Sequence, residues 1–483
     1  LTSSAFIAFG ALYPFSLFKP VFRGSQNHKP LERKMKMSIN PKMIRHSAKA
    51  ALAFLLTAGT LTISPGCAGN GNSTVAATDP GDPVYPKMAQ YPDEDGNGWE
   101  AWNASRCKQL DAPEGYADSL WSFYGESTRT YLTEKQENRA YSPVSLYMAL
   151  SMLAECGSGE TRSQILDLLN APDIETLRTQ ASQVWNANYC DDGAITSLLA
   201  NSIWLSNSLE SDQDTINTLA NSYYASTHSG EFGTDDMNYA IRSWLNEQTG
   251  GRLKDAVSEV EPPAETLMAL YSTVYFKGRW DYEFNPSGND TRAFHSPAGD
   301  VQAEFMNHTD RTDYYWGDDF SAVNMPFVSG CKMWLILPDE DKSVTDVLTS
   351  GKYLGLLNAG DEYENSRYMI VNLSLPKFDV TSTFDLRDGL ESLGITDAFG
   401  SSADFSALSP TQELFLSRAQ QSARVTIDEE GCTAAAFTEM ILCGSAAPSE
   451  DIQEIDFVLD RPFLFVITGL DGQPLFTGTV YSM

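Results

Sequence analysis

Histidine is scarce in the part of the chain that could carry a catalytic site. Beyond residue 66 the sequence contains only His228, His295 and His308, although histidine is the commonest general base and a frequent metal ligand. The nucleophile motif GxSxG and the zinc motif HExxH are also absent from the sequence. The sequence therefore argues against a hydrolase.

Cysteine does not point to a metal or redox centre either. No CxxC pair occurs among the six cysteines that follow Cys67, namely Cys107, Cys156, Cys190, Cys331, Cys432 and Cys443. We therefore expect no metal site and no cofactor, and this spacing assigns no disulfide pairing. Buried thiols are the simplest interpretation.

The most unusual stretch of the chain is residues 428–450, with the sequence DEEGCTAAAFTEMILCGSAAPSE. Its apolar residues do not recur at the 3.6-residue period of a helix that docks on a core. At the two-residue period of a strand, the side chains on one face are first small and then larger and apolar. These residues are Cys432, Ala434, Ala436, Thr438, Met440 and Leu442. Small alternate side chains suit a strand that must enter between two existing strands, because larger ones would clash with a packed core.

The body of the protein is strongly acidic. Residues 1–66 contain nine Lys or Arg and one acidic residue, so the remainder carries a net charge of about −39 within a total of −31. Such a surface repels phosphate backbones, and the sequence contains no basic cluster that would suit a polyanion. We therefore expect no nucleic acid and no heparin-like polyanion as a partner.

The amino end predicts export. Met43 begins a basic n-region, and residues 50–63 form an apolar h-region that is too short to span a membrane by itself. Residues 1–34 contain no initiating Met and are interpreted as upstream translation.

The end of this signal resembles that of a bacterial lipoprotein. Gly66 precedes Cys67, which would be the acylated residue, while Ser64 and Pro65 depart from the usual pattern. The resemblance implies a lipid anchor on a bacterial membrane or cell surface. Plain secretion to the outside of the cell is the alternative.

Composition divides the chain into three regions. Residues 1–67 hold the upstream residues and the signal, and residues 68–115 begin with a run rich in Gly, Asn, Ser, Thr and Pro that predicts a flexible tether. Residues 116–483 continue without a second linker and predict one folded domain.

The folded part predicts an α+β protein. Its front half has helical periodicity, with one helix begun by Ser142 and Pro143. Strand-like runs follow at 201–206, 268–280, 332–338, 368–380 and 463–469. Helical patterns interrupt them at 238–251 and 383–395, and no βαβ repeat is present.

Short motifs along this region resemble those of the serpin family in sequence and in order. They are YSPVSL at 141, IRSWLNEQTGGRLKD at 241, YFKGRW at 275, LPKFDV at 375, LGITDAF at 393, ADFSAL at 403, VTIDEEGCTAAA at 425 and FVLDRPFLFVI at 457. The resemblance covers about residues 116–483. It implies a helical amino-terminal half packed on a large central β-sheet, further sheets, and an exposed reactive-centre loop at about 429–455.

The resemblance also implies a function for the unusual stretch. In serpins the reactive loop is cleaved by a target serine protease, and it inserts as a new strand of the central sheet while the protease is still acyl-linked. The fold is therefore metastable, and the protein is expected to be a monomeric endopeptidase inhibitor and not an enzyme. A noninhibitory serpin that acts as a binding or scaffold module is the alternative.

The hinge of this loop is assigned by the same resemblance to Glu429, Glu430, Gly431, Cys432, Thr433, Ala434, Ala435 and Ala436. Cys432 and Thr433 depart from the family's usual GTEAAA, but both are compact and uncharged. Gly431 supplies a permissive backbone at the pivot. We therefore expect insertion to remain possible.

Two supporting sites are implied beneath and at the top of the sheet. Ser142 and Ser145 resemble the polar pair of the family's shutter, under the point where the strands part. Gln421 stands where many serpins have a histidine that bonds those serines, and an amide makes similar hydrogen bonds without titrating. At the top of the sheet, the breach, Trp280 and Lys377 match family positions.

Lys377 and Glu429 are expected to form an ion pair at the base of the hinge. Such a pair would oppose premature opening of the sheet.

The resemblance implies a scissile bond between Ser445 and Ala446, because in serpins the cleaved bond usually follows the seventeenth residue counted from the position of Glu429, which here is Ser445. The loop looks longer than in familiar members, so the bond could lie anywhere from Leu442 to Ala447. Apart from Leu442 these residues are small, which favours an elastase-like or subtilisin-like serine protease. A papain-like cysteine protease is the other candidate.

Overall fold

The computed structural model describes residues 83, 85–92, 98–251, 258, 260–328, 330–416, 418–432 and 452–483. All of them belong to one compact unit, Gly71–Met483. The export signal with Cys67, hinge residues Thr433 to Ala436, and the expected scissile region from Leu442 to Ala447 lie outside the described residues. Within the described ranges, no helix combines the length and apolar character needed to cross a membrane.

Helices dominate the first half of the folded domain, as predicted. The helices of this half are α1 (Trp99–Gln109), α2 (Leu120–Leu132), α3 (Pro143–Cys156), α4 (Gly159–Leu168), α5 (Ile174–Asn188), α6 (Gln213–Tyr223) and α7 (Asp235–Gln248). Three short helices follow among the described strands of the second half, α8 (Val344–Ser350), α9 (Tyr353–Ala359) and α10 (Arg387–Ser392). Helix α3 begins where the sequence predicted, with Ser142 as its N-cap and Pro143 in its first turn.

The strands form two sheets. The larger contains β1 (Arg139–Tyr141), β6 (Asp290–Ser296), β7 (Gly299–Trp316), β8 (Phe320–Pro326), β9 (Lys332–Pro338), β10 (Ser366–Pro376), β14 (Glu454–Val458), β15 (Phe463–Thr468) and β16 (Pro474–Val480). The smaller contains β2 (Cys190–Asp191), β3 (Ile195–Ser206), β4 (Ala225–Gly230), β5 (Met268–Arg279), β11 (Phe378–Asp385), β12 (Gln420–Ile427) and β13 (Gly431–Cys432).

Two sequence predictions of element boundaries were wrong. The run 368–380 was predicted as one strand, but it divides at Lys377 into β10 of the larger sheet and β11 of the smaller one. Residues 383–385 were predicted to begin a helix, but they end strand β11, where Phe384 packs its ring against Tyr131 and Tyr141. Tertiary packing therefore overrides the local helical pattern there.

The smaller sheet has the order β11-β12-β13-β5-β3-β2, with β4 beside β3. Strand β13 is only two residues long, and it pairs antiparallel with both neighbours. In the described part of the chain, β5 and β12 pair with β13 and not with each other. We call the space between β5 and β12, below β13, the strand gap.

Part of the segment predicted as a tether is folded. Tyr85 stacks on Trp185 and Tyr189, with ring centroids 5.7 and 5.5 Å apart, and residues 99–109 form helix α1. In that helix Arg106 is buried, and its guanidinium lies over the ring of Trp102. Aromatic side chains within a polar composition explain the difference, because each buries a large apolar area.

Trp102 gives this segment a measurable contribution to stability. Its indole N–H donates to Asp192 Oδ2 at 2.9 Å, and the buried Asp192 carboxylate also accepts from the backbone N–H groups of Ala194 and Ile195. Trp102→Phe removes one donor from a buried carboxylate, so we expect the native state to lose about 1–3 kcal/mol. The measurement is the urea unfolding midpoint, with Trp99→Phe as the control because the Trp99 ring is 44% exposed. Equal midpoints for the two variants would contradict the assignment.

Candidate functional site

The hinge begins as a tight turn between β12 and β13. We call residues Asp428–Cys432 the hinge turn. The Asp428 N–H donates to the Gly431 carbonyl at 3.1 Å, and Asp428 Oδ1 accepts from the N–H groups of Glu430 and Gly431 at 3.1 and 3.2 Å. This turn reverses the chain, so that Gly431 and Cys432 enter the space between β12 and β5.

Gly431 and Cys432 are already seated as a short strand. Cys432 pairs with Ile427 of β12 and with Gly278 of β5, while Gly431 pairs with Arg279 of β5. The side chain of Cys432 is buried. The first two residues of a new strand are therefore in place at the top of the strand gap.

Gly431 is required by close approach of the backbone. Its φ is +150°, and a Cβ at this position would lie 2.1 Å from the carbonyl oxygen of Gly278. A side chain here would collide with the backbone of β5, which cannot yield as a flexible side chain would. The sequence predicted a permissive glycine at this pivot, and the structure supplies this physical reason.

Trp280 contacts the hinge turn through both its side chain and its backbone. The side chain is 1% exposed, its ring stacks on Phe327, and its indole N–H donates to the Asp428 carbonyl at 3.0 Å. Its backbone N–H donates to the Glu430 carbonyl at 3.0 Å. Trp280 is therefore both a core residue and a direct contact of the hinge turn.

Lys377 and Glu429 form the predicted ion pair, with 2.7 Å between Lys377 Nζ and Glu429 Oε1. Lys377 lies at the junction of β10 and β11, which places it between the two sheets. Two further residues join the pair. Glu304 accepts from Lys377 at 2.9 Å, and the Asn289 amide donates to Glu304 at 3.0 Å and to Glu429 at 2.6 Å. We call these four residues the hinge-base cluster.

The protonation of this cluster follows from its contacts. Partial burial disfavours ionisation of Glu429, but hydrogen bonds from Lys377 and Asn289 and the charge of Lys377 outweigh it, so the pKa of Glu429 is lowered. Hydrogen bonds from the same two side chains lower the pKa of Glu304. Partial burial opposes the charge of Lys377, yet its two carboxylate partners raise its pKa. Glu429, Glu304 and Lys377 are therefore all charged at neutral pH.

The hinge-base cluster predicts a pH-dependent contribution to stability. Carboxylates with lowered pKa values stabilise the native state above the ordinary glutamate pKa of about 4.3, and they lose this contribution as pH falls through the lowered values. Lys377→Met should therefore destabilise the protein at neutral pH, by at most about 1 kcal/mol for a partly exposed pair. The difference from wild type should shrink towards zero as pH falls from neutral through the lowered carboxylate pKa values.

Urea midpoints measured across this pH range test the prediction. Lys135→Met serves as the control for the loss of a surface lysine, because Lys135 is exposed and takes part in no ion pair among the described residues. A Lys377→Met difference that stays constant or grows under acid conditions would contradict the assignment.

The three predicted shutter residues lie beneath the strand gap, and the two serines are linked because Ser142 Oγ accepts from the Ser145 backbone N–H at 3.2 Å. The Gln421 amide bonds the backbone of Ser142 twice, accepting from its N–H and donating to its carbonyl, each at 2.9 Å. The Ser145 hydroxyl instead donates to the carbonyl of Ser272 on β5 at 3.0 Å. The first turn of α3 therefore holds β12 through one serine and β5 through the other.

The two strands bordering the gap present an apolar inner face. On β12, Ala423, Val425 and Ile427 are buried on the side of Gln421, and on β5 Phe276 is 5% exposed. Residues in the same row of neighbouring strands point to the same side of a sheet. A strand entering the gap would therefore meet a buried and largely apolar surface on its inner face.

Sequence reasoning missed several residues of this site. Asn289, Glu304 and Ser272 come from strands or turns far from the hinge in sequence, and their residue types carry no distinctive signal. Asp428 could have been found, because an aspartate three residues before a glycine is a turn signal. Within the described ranges, no group of three His, Cys, Asp or Glu side chains is arranged to hold a metal ion.

Comparisons with known proteins agree with this geometry. Residues 123–483 match the family model described as "Serpin (serine protease inhibitor)". Serpin-Z1C of Triticum aestivum is 30% identical over 367 residues, which cover 71% of this chain and 90% of that protein. A serine protease inhibitor of Cyanea capillata is 27% identical over 354 residues, covering 71% and 92%.

The folds agree as well. The native state of the thermophilic serpin tengpin superimposes with a TM-score of 0.69 at 26% identity, covering 77% of this chain and 95% of tengpin. The predicted fold class, an α and β protein with the serpin fold, is confirmed. The described strands form two sheets, and the strand gap lies in the seven-stranded one.

Proposed function

This chain belongs to the serpin family of serine protease inhibitors, and we propose that it inhibits by suicide-substrate trapping. The target protease cleaves the reactive loop and becomes acyl-linked to it. The loop then inserts into the strand gap and carries the protease away before the acyl bond is hydrolysed. The observation that carries this proposal is the seating of Gly431 and Cys432 between β12 and β5.

The register of these two residues predicts where the rest of the strand would go. If the pairing of β13 with β12 and β5 continued along both strands, residue 434 would lie between Val425 and Phe276, and residue 438 between Gln421 and Ser272. Cys432 has its side chain on the buried side. Ala434, Ala436 and Thr438 would follow on that side, and small side chains there suit the packed inner face of the gap.

The same register explains why insertion would be favourable. Each inserted residue satisfies backbone N–H and C=O groups on both sides, and each such hydrogen bond contributes on the order of 1 kcal/mol net. Over about a dozen residues this sum exceeds the whole free energy of unfolding of many domains. The uncleaved state is therefore held by kinetics, because the loop cannot reach this arrangement while both of its ends are tethered.

The choice of target rests on the residues around the expected bond. Ser445 and Ala446 are small, and no Arg or Lys lies between Leu442 and Ala447. A shallow primary pocket, as in elastase-like or subtilisin-like serine proteases, accepts such residues. A papain-like cysteine protease is a further candidate target.

The test is to incubate the protein from residue 68 onward with a panel of elastase-like, subtilisin-like and papain-like proteases. Denaturing gels should show a complex of the summed mass that survives SDS, and mass spectrometry should place the cleaved bond between Leu442 and Ala447. Cleavage in this range without such a complex would refute the trapping mechanism and favour a noninhibitory binding or scaffold serpin.

Localisation is part of the proposal. The signal-like residues 43–66 followed by Cys67 support export and a lipid anchor on a bacterial membrane or cell surface. Expression in a bacterial host with labelled fatty acid should label the wild-type chain and not Cys67→Ala. Labelling of neither chain, with the protein found in the medium, would leave plain secretion.

A further inference from the structure

We infer that Asp428 is a positioning residue that keeps the hinge turn formed before cleavage, so that insertion begins by extending β13. This inference rests on the proposed trapping function. It concerns the first step of insertion and names the group of this chain that prepares it.

Asp428 makes hydrogen bonds both within the hinge turn and to Trp280. Its N–H donates to the Gly431 carbonyl, and its carbonyl accepts the Trp280 indole N–H. Its Oδ1 accepts from both Glu430 and Gly431. Only the two Oδ1 contacts depend on the side chain, so they can be removed by substitution while the backbone contacts remain available.

The physical reason lies in how strands grow. Forming the first turn costs conformational entropy, because several backbone torsions are fixed while few hydrogen bonds form. Each later residue of the strand forms hydrogen bonds as soon as it is ordered. Asp428 holds that first turn in the uncleaved protein, with Gly431 and Cys432 already paired. After cleavage the loop would then add residues below Cys432 without first ordering a turn, which shortens the time before the protease is displaced.

The test compares Asp428→Ala with Asp428→Asn in the full chain. The asparagine keeps an acceptor oxygen at the same position, while the alanine removes it. Asp428→Glu moves the acceptor by one methylene and serves as a second loss variant if the alanine variant folds poorly. Asp388→Ala, at an exposed position in helix α10, controls for loss of a surface aspartate.

Two measurements distinguish a positioning role of Asp428 from a general contribution to the stability of the protein. The first is the ratio of SDS-stable complex to released cleaved inhibitor. The second, made without protease, is the rate at which a thiol reagent labels Cys432, measured by peptide mapping against the exposed Cys107. Cys432 is buried where it pairs in β13, so faster labelling of its thiol would report opening of the hinge turn.

In Asp428→Ala, the thiol reagent should label Cys432 about tenfold faster, the order of factor expected when the two hydrogen bonds to the shared Oδ1 acceptor are lost. This variant should also release more cleaved inhibitor. Asp428→Asn and Asp388→Ala should match wild type in both readouts. Unchanged labelling and unchanged partition in Asp428→Ala would overturn the inference while leaving the trapping function intact. If wild type itself forms no complex, the trapping function fails, and the labelling experiment still decides whether Asp428 holds the turn.

Discussion

Ala434→Glu is expected to abolish covalent inhibition and to turn the protein into an ordinary substrate. Residue 434 would enter the strand gap between Val425 and Phe276, both of which are buried. A carboxylate placed there without a partner costs several kcal/mol, and this cost falls on an early step of insertion. Hydrolysis of the acyl bond would then outpace insertion, and active protease would be released.

Ala435→Glu is the matched control, because neighbouring residues of a strand face opposite sides of the sheet. Residue 435 would enter in the row of Arg424, on the face away from the core, so its carboxylate would remain near solvent and a cation. The control should keep most of the SDS-stable complex formed by wild type. If both variants inhibit equally, the register derived from β13 is incorrect. Equal loss in both would mean that the two faces of the loop are not distinguished during insertion.

Gly431→Ala is the change with the next largest expected effect. A methyl group at this position would lie 2.1 Å from the Gly278 carbonyl oxygen, in a backbone conformation that L-residues rarely adopt. The two-residue strand β13 could not stay seated, so Cys432 should become reactive to thiol reagents. Cleavage by the target protease should then yield mostly free cleaved inhibitor.

Gly288→Ala controls for the loss of a glycine, because an added Cβ there meets no atom within 4 Å. It should leave Cys432 labelling and the yield of complex unchanged. A Gly431→Ala protein in which Cys432 stays protected would show that the backbone of β5 can move aside, and it would remove the steric argument for this glycine.

The fold and the position of the hinge were predictable because they depend on local patterns. The alternation of small residues after Gly431, the strand runs and the serpin-like motifs each occupy a short continuous stretch. The pairing of Lys377 with Glu429 was also predictable, but only through the resemblance, since the two residues are far apart in the chain. Composition and spacing alone could not have joined them.

The rest of the site depends on tertiary contacts that leave no mark in the sequence. Asn289 and Glu304 join the hinge-base cluster because the turn before β6 and the strand β7 pass beside Lys377. Ser145 was expected to share a partner with Ser142, but its hydroxyl bonds Ser272, because it lies on the β5 side of the gap. Similarly, residues 85–109 pack on the folded domain through aromatic side chains. The polar residues around them are typical of a linker, so the sequence did not predict this packing.

The most direct test of the account is the thermal unfolding of the protein before and after cleavage between Leu442 and Ala447. If the freed loop fills the strand gap with about a dozen residues, the unfolding midpoint should rise by about 20 °C or more. An unfolding midpoint that is unchanged by cleavage would show that no strand is gained, and the trapping mechanism proposed for this serpin would be contradicted.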